Sequence, residues 1–255
     1  MRMNPLAQRR SYGRQVLGQL SRFVKERFLQ GEEADIDAET LFRGLTAERF
    51  PDDPITGEEL GADPRTREEG WIIDPLDGST NHSRGIPIFA VSLAYRSGGE
   101  TVLGWISDPV RGEWIEAVAG HGITSGGLIP FRKSVERPPM IHLTPRWRKK
   151  RPRWRNFLPN NIKQRTLGSI ALEMAWIAMG RMDAGAWYKT HEWDIAAGLL
   201  LISEAGGQIC PVLNGGKGEY VATSPSHKHL LPLLRDCLED HGSGLATHEP
   251  GKLYT

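Results

Sequence analysis

Cysteine is scarce in this chain: Cys210 and Cys237 are the only two in 255 residues. That count excludes a disulfide framework and suits a reducing compartment, where neither thiol need pair. Long apolar runs are missing too. None approaches the ~20 residues that a membrane-spanning helix requires, and the opening MRMNPLAQRRSYGRQ lacks the apolar core of a secretory leader. A cytoplasmic location with no membrane partner is therefore expected. Excess charge of one sign is also absent. The 32 Lys and Arg against 31 Asp and Glu leave a net charge of +1, which argues against a general nucleic-acid binder. With 39% hydrophobic and 25% charged residues, the composition is that of an ordinary globular protein. Its length suits one large domain or two fused lobes.

What the chain does have is concentrated in residues 70–95, GWIIDPLDGSTNHSRGIPIFAVSLAY. Trp71, Ile72 and Ile73 form a short apolar run that predicts a buried strand, and Ile86 to Tyr95 predicts a second. Between them lies Asp74-Pro75-Leu76-Asp77-Gly78-Ser79-Thr80-Asn81, dense in carboxylates, hydroxyls and turn formers. Asp74 and Asp77 should surface together at the strand end. With the Leu76 carbonyl between them they make a cradle of hard oxygen ligands, the type Mg²⁺ takes while keeping waters and substrate phosphate in its other positions. Gly78 allows close backbone approach, and the Gly78 and Ser79 amides would point at a phosphate if a helix starts there. The same residues also read as a plain polar turn.

Far downstream come Trp193-Asp194-Ile195-Ala196-Ala197-Gly198 and then Glu204-Ala205-Gly206-Gly207. The pair WIIDPLDGSTN and WDIAAGLLLISEAGG, in that order and at that separation, resembles the inositol monophosphatase family of Mg²⁺-dependent phosphatases. The resemblance runs from about Asp35 to about Val221. It implies an α+β fold, a layered αβαβα sandwich like that of fructose-1,6-bisphosphatase, with the site between two lobes. It also implies hydrolysis of a small phosphate monoester, lithium sensitivity and a homodimer. Two Mg²⁺ ions are implied, the first on Glu58, Asp74 and the Leu76 carbonyl, the second on Asp74, Asp77 and Asp194. Together they would offset the charge of the phosphate dianion and activate the attacking water. Glu58 comes from Gly57-Glu58-Glu59, 16 residues before Asp74; the decoy Gly31-Glu32-Glu33 lies 42 residues before it with Glu32.

The resemblance places Ser79 at the hydroxyl position beside the attacking water, where the family generally has threonine. An upstream aspartate would orient that hydroxyl. Asp35 is the match, since it stands four residues before Glu39 as in the family's Asp-x-x-x-Glu, and Asp37 is its competitor. The Gly78, Ser79 and Thr80 amides would hold phosphate oxygens, and Gly168 and Ser169, opening the helix after Leu167, would face the substrate. Two departures stand out. Arg27-Phe28-Leu29-Gln30-Gly31 runs almost directly into Asp35, so the family's lysine-bearing loop, associated with a third and weaker metal site, is absent. Inositol-preferring members carry a glutamate seven residues before the Asp of WD, and here that position is Trp187. An indole there would sit at the pocket rim and stack on a base or sugar face, although Ala186-Trp187-Tyr188 also reads as a buried strand.

Elsewhere, residues 1–11 read as a loosely ordered basic start. Helices are predicted over Tyr12–Leu29, Ala38–Arg49, from Gly168 or Ser169 to Met179, and from Asp194 to the Gly206-Gly207 cap. A strand pair is predicted around Asp108–Gly112. Lobes over 1–132 and 133–245 are expected, with residues 246–255 a disordered tail. RWRKKRPRWR at 146–155 interleaves seven Lys or Arg with Trp147 and Trp154. Such a run can bind nucleic acid or an anionic surface, but it reads first as a solvated loop, so nucleic acid is not the expected partner. Candidate substrates are inositol monophosphate, fructose-1,6-bisphosphate, histidinol phosphate and 3′-phosphoadenosine nucleotides. The competing class is a non-catalytic metal-binding regulator acting through 146–155.

Overall fold

The computed structural model describes residues 4–129, 137–144, 158, 160–212 and 218–239. The basic segment 146–155 and the tail 246–255 lie outside the described residues. Helix α1 (Pro5–Gln30) and helix α2 (Asp35–Arg49) come first. A seven-stranded sheet follows: β1 (Ile55–Gly57), β2 (Gly61–Ala62), β3 (Gly70–Asp77), β4 (Ala90–Ser97), β5 (Glu100–Asp108), β6 (Glu113–Val118) and β7 (Ile123–Gly126). Its spatial order is β2-β1-β3-β4-β5-β6-β7, antiparallel except for β1 against β3. The single turn α3 (Ser79–Ser83) interrupts it after β3. The second sheet has the order β11-β12-β10-β8-β9. Its strands are β8 (Met140–Leu143), β9 (Lys163–Gln164), β10 (Ala184–Trp187), β11 (Gln208–Pro211) and β12 (Tyr220–Thr223). The remaining helices are α4 (Ile170–Ala178), α5 (Glu192–Glu204) and α6 (Leu230–Glu239).

Side-chain alternation along the strands builds the layers. Trp71 and Ile73 of β3 and Val91, Leu93 and Tyr95 of β4 pack against Val16, Leu20 and Phe42 of α1 and α2. Ile72, Ala90 and Ala94 point the other way, into a core shared with α4 and α5. That core continues to Trp187 and Ala222 of the second sheet, whose far face is covered by Leu230 and Leu234 of α6. The result is a five-layer αβαβα sandwich of the α+β class. Gly104 on β5 is where α5 comes closest: a side-chain carbon there would lie 3.1 Å from the Ala197 Cα.

Helix α1 starts seven residues before the periodic apolar pattern does, so the loosely ordered basic start is corrected. Asn4 caps it by accepting from the Leu6 amide at 3.0 Å, and Pro5 occupies the first turn, where its missing N–H removes no helical hydrogen bond. Three of its arginines, though partly exposed, are tied to acidic partners. Arg9 grips Asp53 through Nε and Nη2 at 2.9 and 2.6 Å, and the same carboxylate accepts from Trp71 Nε1. Gly13 lets the face of Trp105 lie against the helix backbone. On either side of it, Arg10 and Arg14 reach Glu116 of β6, whose Oε2 also accepts from Trp105 Nε1 at 3.0 Å. The second expected strand starts late, at Ala90, because the chain first makes a turn in which Ile86 N–H donates to the Asn81 carbonyl.

Burial alone would push the Glu116 carboxyl up; the guanidinium groups of Arg14 and Arg10 and the Trp105 N–H outweigh it and hold it below the ordinary carboxylate range. A depressed folded-state value stabilises the fold above the unfolded value near 4.5 and is lost as pH falls through the folded one. Both arginines are about half-exposed, which screens the pair. Glu116→Gln is expected to destabilise the protein by ~1–2 kcal/mol at pH 7. Urea unfolding of both proteins should show that difference shrinking as pH drops below about 4.5.

Candidate active site

Asp74 and Asp77 are three residues apart on β3, and in a regular strand such positions face opposite sides of the sheet. The ladder with β4 slips by one residue between them: Asp74 pairs with Ser92, Asp77 with Ala90. Pro75, with no N–H to give the ladder, sits in that slip. The extra residue turns both carboxylates to the same face, toward α4 and α5, while Leu76 goes to the opposite core. Gly78 then takes φ +103 and seats against the Ile88 and Gly168 carbonyls, 3.1 and 3.2 Å from where a side-chain carbon would stand. It opens α3, whose first amides, those of Ser79 and Thr80, have no helical acceptor. Asn81 Nδ2 clamps the turn, donating to the Ile88 carbonyl at 2.7 Å and the Leu167 carbonyl at 2.8 Å.

Each of three aspartates has one oxygen held by the chain. Asp74 Oδ1 accepts from the Leu76 amide at 3.0 Å. Asp77 Oδ2 accepts from Ser169 Oγ at 2.6 Å and the Ala171 amide at 2.5 Å, which caps the start of α4. Asp194, in the first turn of α5, accepts from the His191 amide through Oδ2 at 2.7 Å. Glu58, at the tip of the β1–β2 hairpin, stands close enough to Asp74 for the two carboxyls to shift one another.

Among the described residues no arginine or lysine pairs with this group, and only His191 offsets the charge of Asp194. Burial drives the Asp74 carboxyl well above the usual range, and the charges of Asp77, Glu58 and Asp194 drive it further. Asp77 is pushed up to about 7 by burial, against the Ser169 and Ala171 hydrogen bonds, with Asp194 and Glu173 adding to the rise. Glu58 keeps solvent on one side, yet partial burial, Asp194 and Glu59 raise it as well. Asp194 is raised by burial, in opposition to the His191 N–H. Among the described residues no three carboxylates, imidazoles or thiols converge tightly enough to close on an ion. The donor chemistry nevertheless fits a hard divalent cation: oxygen atoms only, gathered against their mutual repulsion, each aspartate turned by a backbone donor.

A cavity of about 720 Å³ opens on the Ser79 side of this group, lined by Asp35, Asp37, Glu59, Ser79, Thr80 and His82 among others. Asp35 and Ser79 face the same space without touching; among the described residues the Asp35 carboxylate accepts from the neighbouring Ala34 amide alone. Asp37 and Glu32 are both drawn to Arg27. The decoy glutamate is thus a helix-end ion pair.

Two expectations change. Trp187 is not at a rim: it is fully buried, stacks on His142 with centroids 5.8 Å apart, and donates Nε1 to Glu173 Oε2 at 3.0 Å. The buried-strand reading of Ala186-Trp187-Tyr188 is the one that holds for Trp187. Ser169 likewise does not offer its hydroxyl to the cavity; it is buried and donates to Asp77, while Gly168 packs on Asn81. Two residues were missed. Glu173 fixes the Leu167–Ser169 bend by accepting from the Leu167 amide at 2.8 Å, and Glu39 lies under the β1–β2 hairpin. Glu39 had a signal, its place in Asp-x-x-x-Glu; Glu173 had none beyond being acidic in an apolar helix.

A five-layer sandwich with acidic side chains gathered where β3 meets α4 and α5 is the architecture of the inositol monophosphatases. An Anabaena inositol monophosphatase superposes with a TM-score of 0.76 at 26% identity, over 91% of this chain and 96% of that one. The sequence model of the inositol monophosphatase family matches residues 28–241, and the chain belongs to that family. A Pasteurella multocida protein named Nus factor SuhB is 37% identical over 218 residues, 75% of this chain and 77% of its own. A Mesorhizobium japonicum inositol-1-monophosphatase is 37% identical over 201 residues, 72% and 73% of the two chains.

Raised carboxyls make a stability statement. An aspartate whose folded value lies above its unfolded one stabilises the fold at low pH and loses that contribution as pH rises through the folded value, here about 7. Asp77→Asn keeps an acceptor for Ser169 and Ala171 but removes the uncompensated charge. In chelator at pH 8 it is expected to melt higher than wild type, by at least ~1 kcal/mol, the gain falling as pH drops below about 7 and gone only near pH 3.8, the unfolded value. Thermal melts at pH 8 and near pH 3.8 check this.

Proposed function

We propose that the protein is a Mg²⁺-dependent phosphatase acting on a small phosphate monoester, with Glu58, Asp74, the Leu76 carbonyl, Asp77 and Asp194 as the cation-holding groups. The observation that carries this reading is the burial of Asp74 and Asp77 beside Glu58 and Asp194, with no arginine or lysine paired to any of the four among the described residues. When bound, Mg²⁺ would offset the charge of the phosphate dianion and make water a competent nucleophile.

The chain's own groups would do the rest. The unpartnered first-turn amides of Ser79 and Thr80, with that of Gly78, donate to phosphate oxygens and orient the ester. Ser79 Oγ would orient the attacking water, and Asp35, which lines the same cavity without touching Ser79, would take the released proton through intervening solvent. Ser169 and Ala171 act one step back, holding Asp77 Oδ2 and leaving its other oxygen to serve as a cation ligand. Position 187 offers no carboxylate to sugar hydroxyls, so inositol monophosphate is one candidate beside fructose-1,6-bisphosphate, histidinol phosphate and 3′-phosphoadenosine nucleotides.

Asp194→Asn tests the reading without removing the helix cap, since asparagine accepts from the His191 amide as aspartate does. Phosphate release over that substrate panel with Mg²⁺ should fall ~10²-fold or more on the best substrate, ~2.7 kcal/mol of barrier. LiCl should inhibit the wild type where KCl at equal ionic strength does not. A variant within about threefold of wild type would leave the regulatory alternative, a role of the kind named for the Pasteurella relative.

A further inference from the structure

Hairpin β1–β2 carries Glu58 on a three-residue loop, Glu58-Glu59-Leu60, closed by the pairing of Gly57 with Gly61. Such a loop leaves backbone donors unpaired and its tip free to pivot. Here it is held from beneath. Glu39, on α2 and fully buried, accepts from the Glu59 amide through Oε2 at 2.8 Å and from the Leu60 amide through Oε1 at 3.3 Å. Its carboxylate lies so close under Gly57 that a side-chain carbon there would come within 2.2 Å of Oε1. Only a glycine leaves room for it, which gives the first residue of Gly57-Glu58-Glu59 a physical reason. The buried charge is matched one helical turn later by Arg43, whose Nε donates to Glu39 Oε1 at 2.8 Å and whose Nη2 donates to the Gly61 carbonyl at 2.7 Å. Glu39 and Arg43 thus grip both arms of the hairpin.

We propose that Glu39 is a positioning residue that aims the Glu58 carboxylate at Asp74, and so sets how tightly the site holds its cation. This rests on the reading of Glu58 as a cation-holding group. Three donors converge on Glu39, and it needs to be a carboxylate to meet them. Glutamine has one acceptor oxygen and would turn an N–H₂ against an N–H, freeing one end of the loop. Glu58 would keep its identity and lose its direction. Outer residues of this kind typically change metal affinity 10–100-fold.

The test combines calorimetric Mg²⁺ titration, amide hydrogen exchange of the metal-free protein, and turnover against Mg²⁺ concentration. Glu39→Gln and the charge-keeping Glu39→Asp are compared with Glu116→Gln, which loosens the fold far from the hairpin. Both Glu39 variants are expected to bind Mg²⁺ ~10-fold more weakly and to exchange the Glu59 and Leu60 amides faster. At saturating Mg²⁺ their kcat should stay within about threefold of wild type, while Glu116→Gln binds Mg²⁺ as wild type does. Glu39 variants with wild-type affinity, or an equal loss in Glu116→Gln, would overturn the proposal while leaving the phosphatase reading intact. Wild-type protein that takes up no Mg²⁺ overturns both. If Glu39→Gln fails to fold, Glu39→Asp alone decides by the same criteria.

Discussion

Four carboxylates that repel one another are held together by everything else in this molecule. Each would ionise freely in water; burial and proximity oppose that, raising the Asp74 carboxyl well above its usual range and Asp77 to about 7. The arrangement persists because the fold over-determines it. A strand irregularity at Pro75 turns two of the aspartates to one face, the start of α4 grips Asp77, the start of α5 grips Asp194, and a hairpin braced by α2 presents Glu58. Functional sites commonly hold such opposition against the stability of the scaffold.

The scaffold has the stiffness for it. One face of the large sheet is filled by Trp71, Trp105, Tyr95, Phe42 and Phe89, all essentially inaccessible. Trp71 and Trp105 stack at 6.1 Å, and the polar atoms in that layer are paired through Asp53, Glu116 and Glu69. A well-packed layer with satisfied polar groups resists the small shifts that would let the carboxylates drift apart.

Much of this could be read in the chain because its signals are local. The Asp74–Asn81 turn, the flanking apolar strands and the Gly206-Gly207 helix stop each rest on neighbouring residues. What stayed hidden depends on distant partners. The first turns of α1 look like a basic tail until Asp53 and Glu116 appear beside Arg9, Arg10 and Arg14. Trp187 looks like a stacking platform until Glu173 and His142 enclose it, and Ser169 looks like a substrate contact until its partner is seen to be Asp77. The role of Glu39 is the same kind of fact: its spacing from Asp35 is visible, but the Glu59 amide it accepts from is 20 residues away.

Asp194 stands 120 positions beyond Asp74 in the chain, and that separation bears on synthesis. A nascent chain that has emerged only through β7 already carries Glu58, Asp74 and Asp77. It lacks the fourth carboxylate, the α4 start that grips Asp77, and the helices that cover the inner face of its sheet. On the proposed reading, then, an ion could meet all four carboxylates only after α4 and α5 have docked. The site on that reading is complete only once the chain has been made through Asp194.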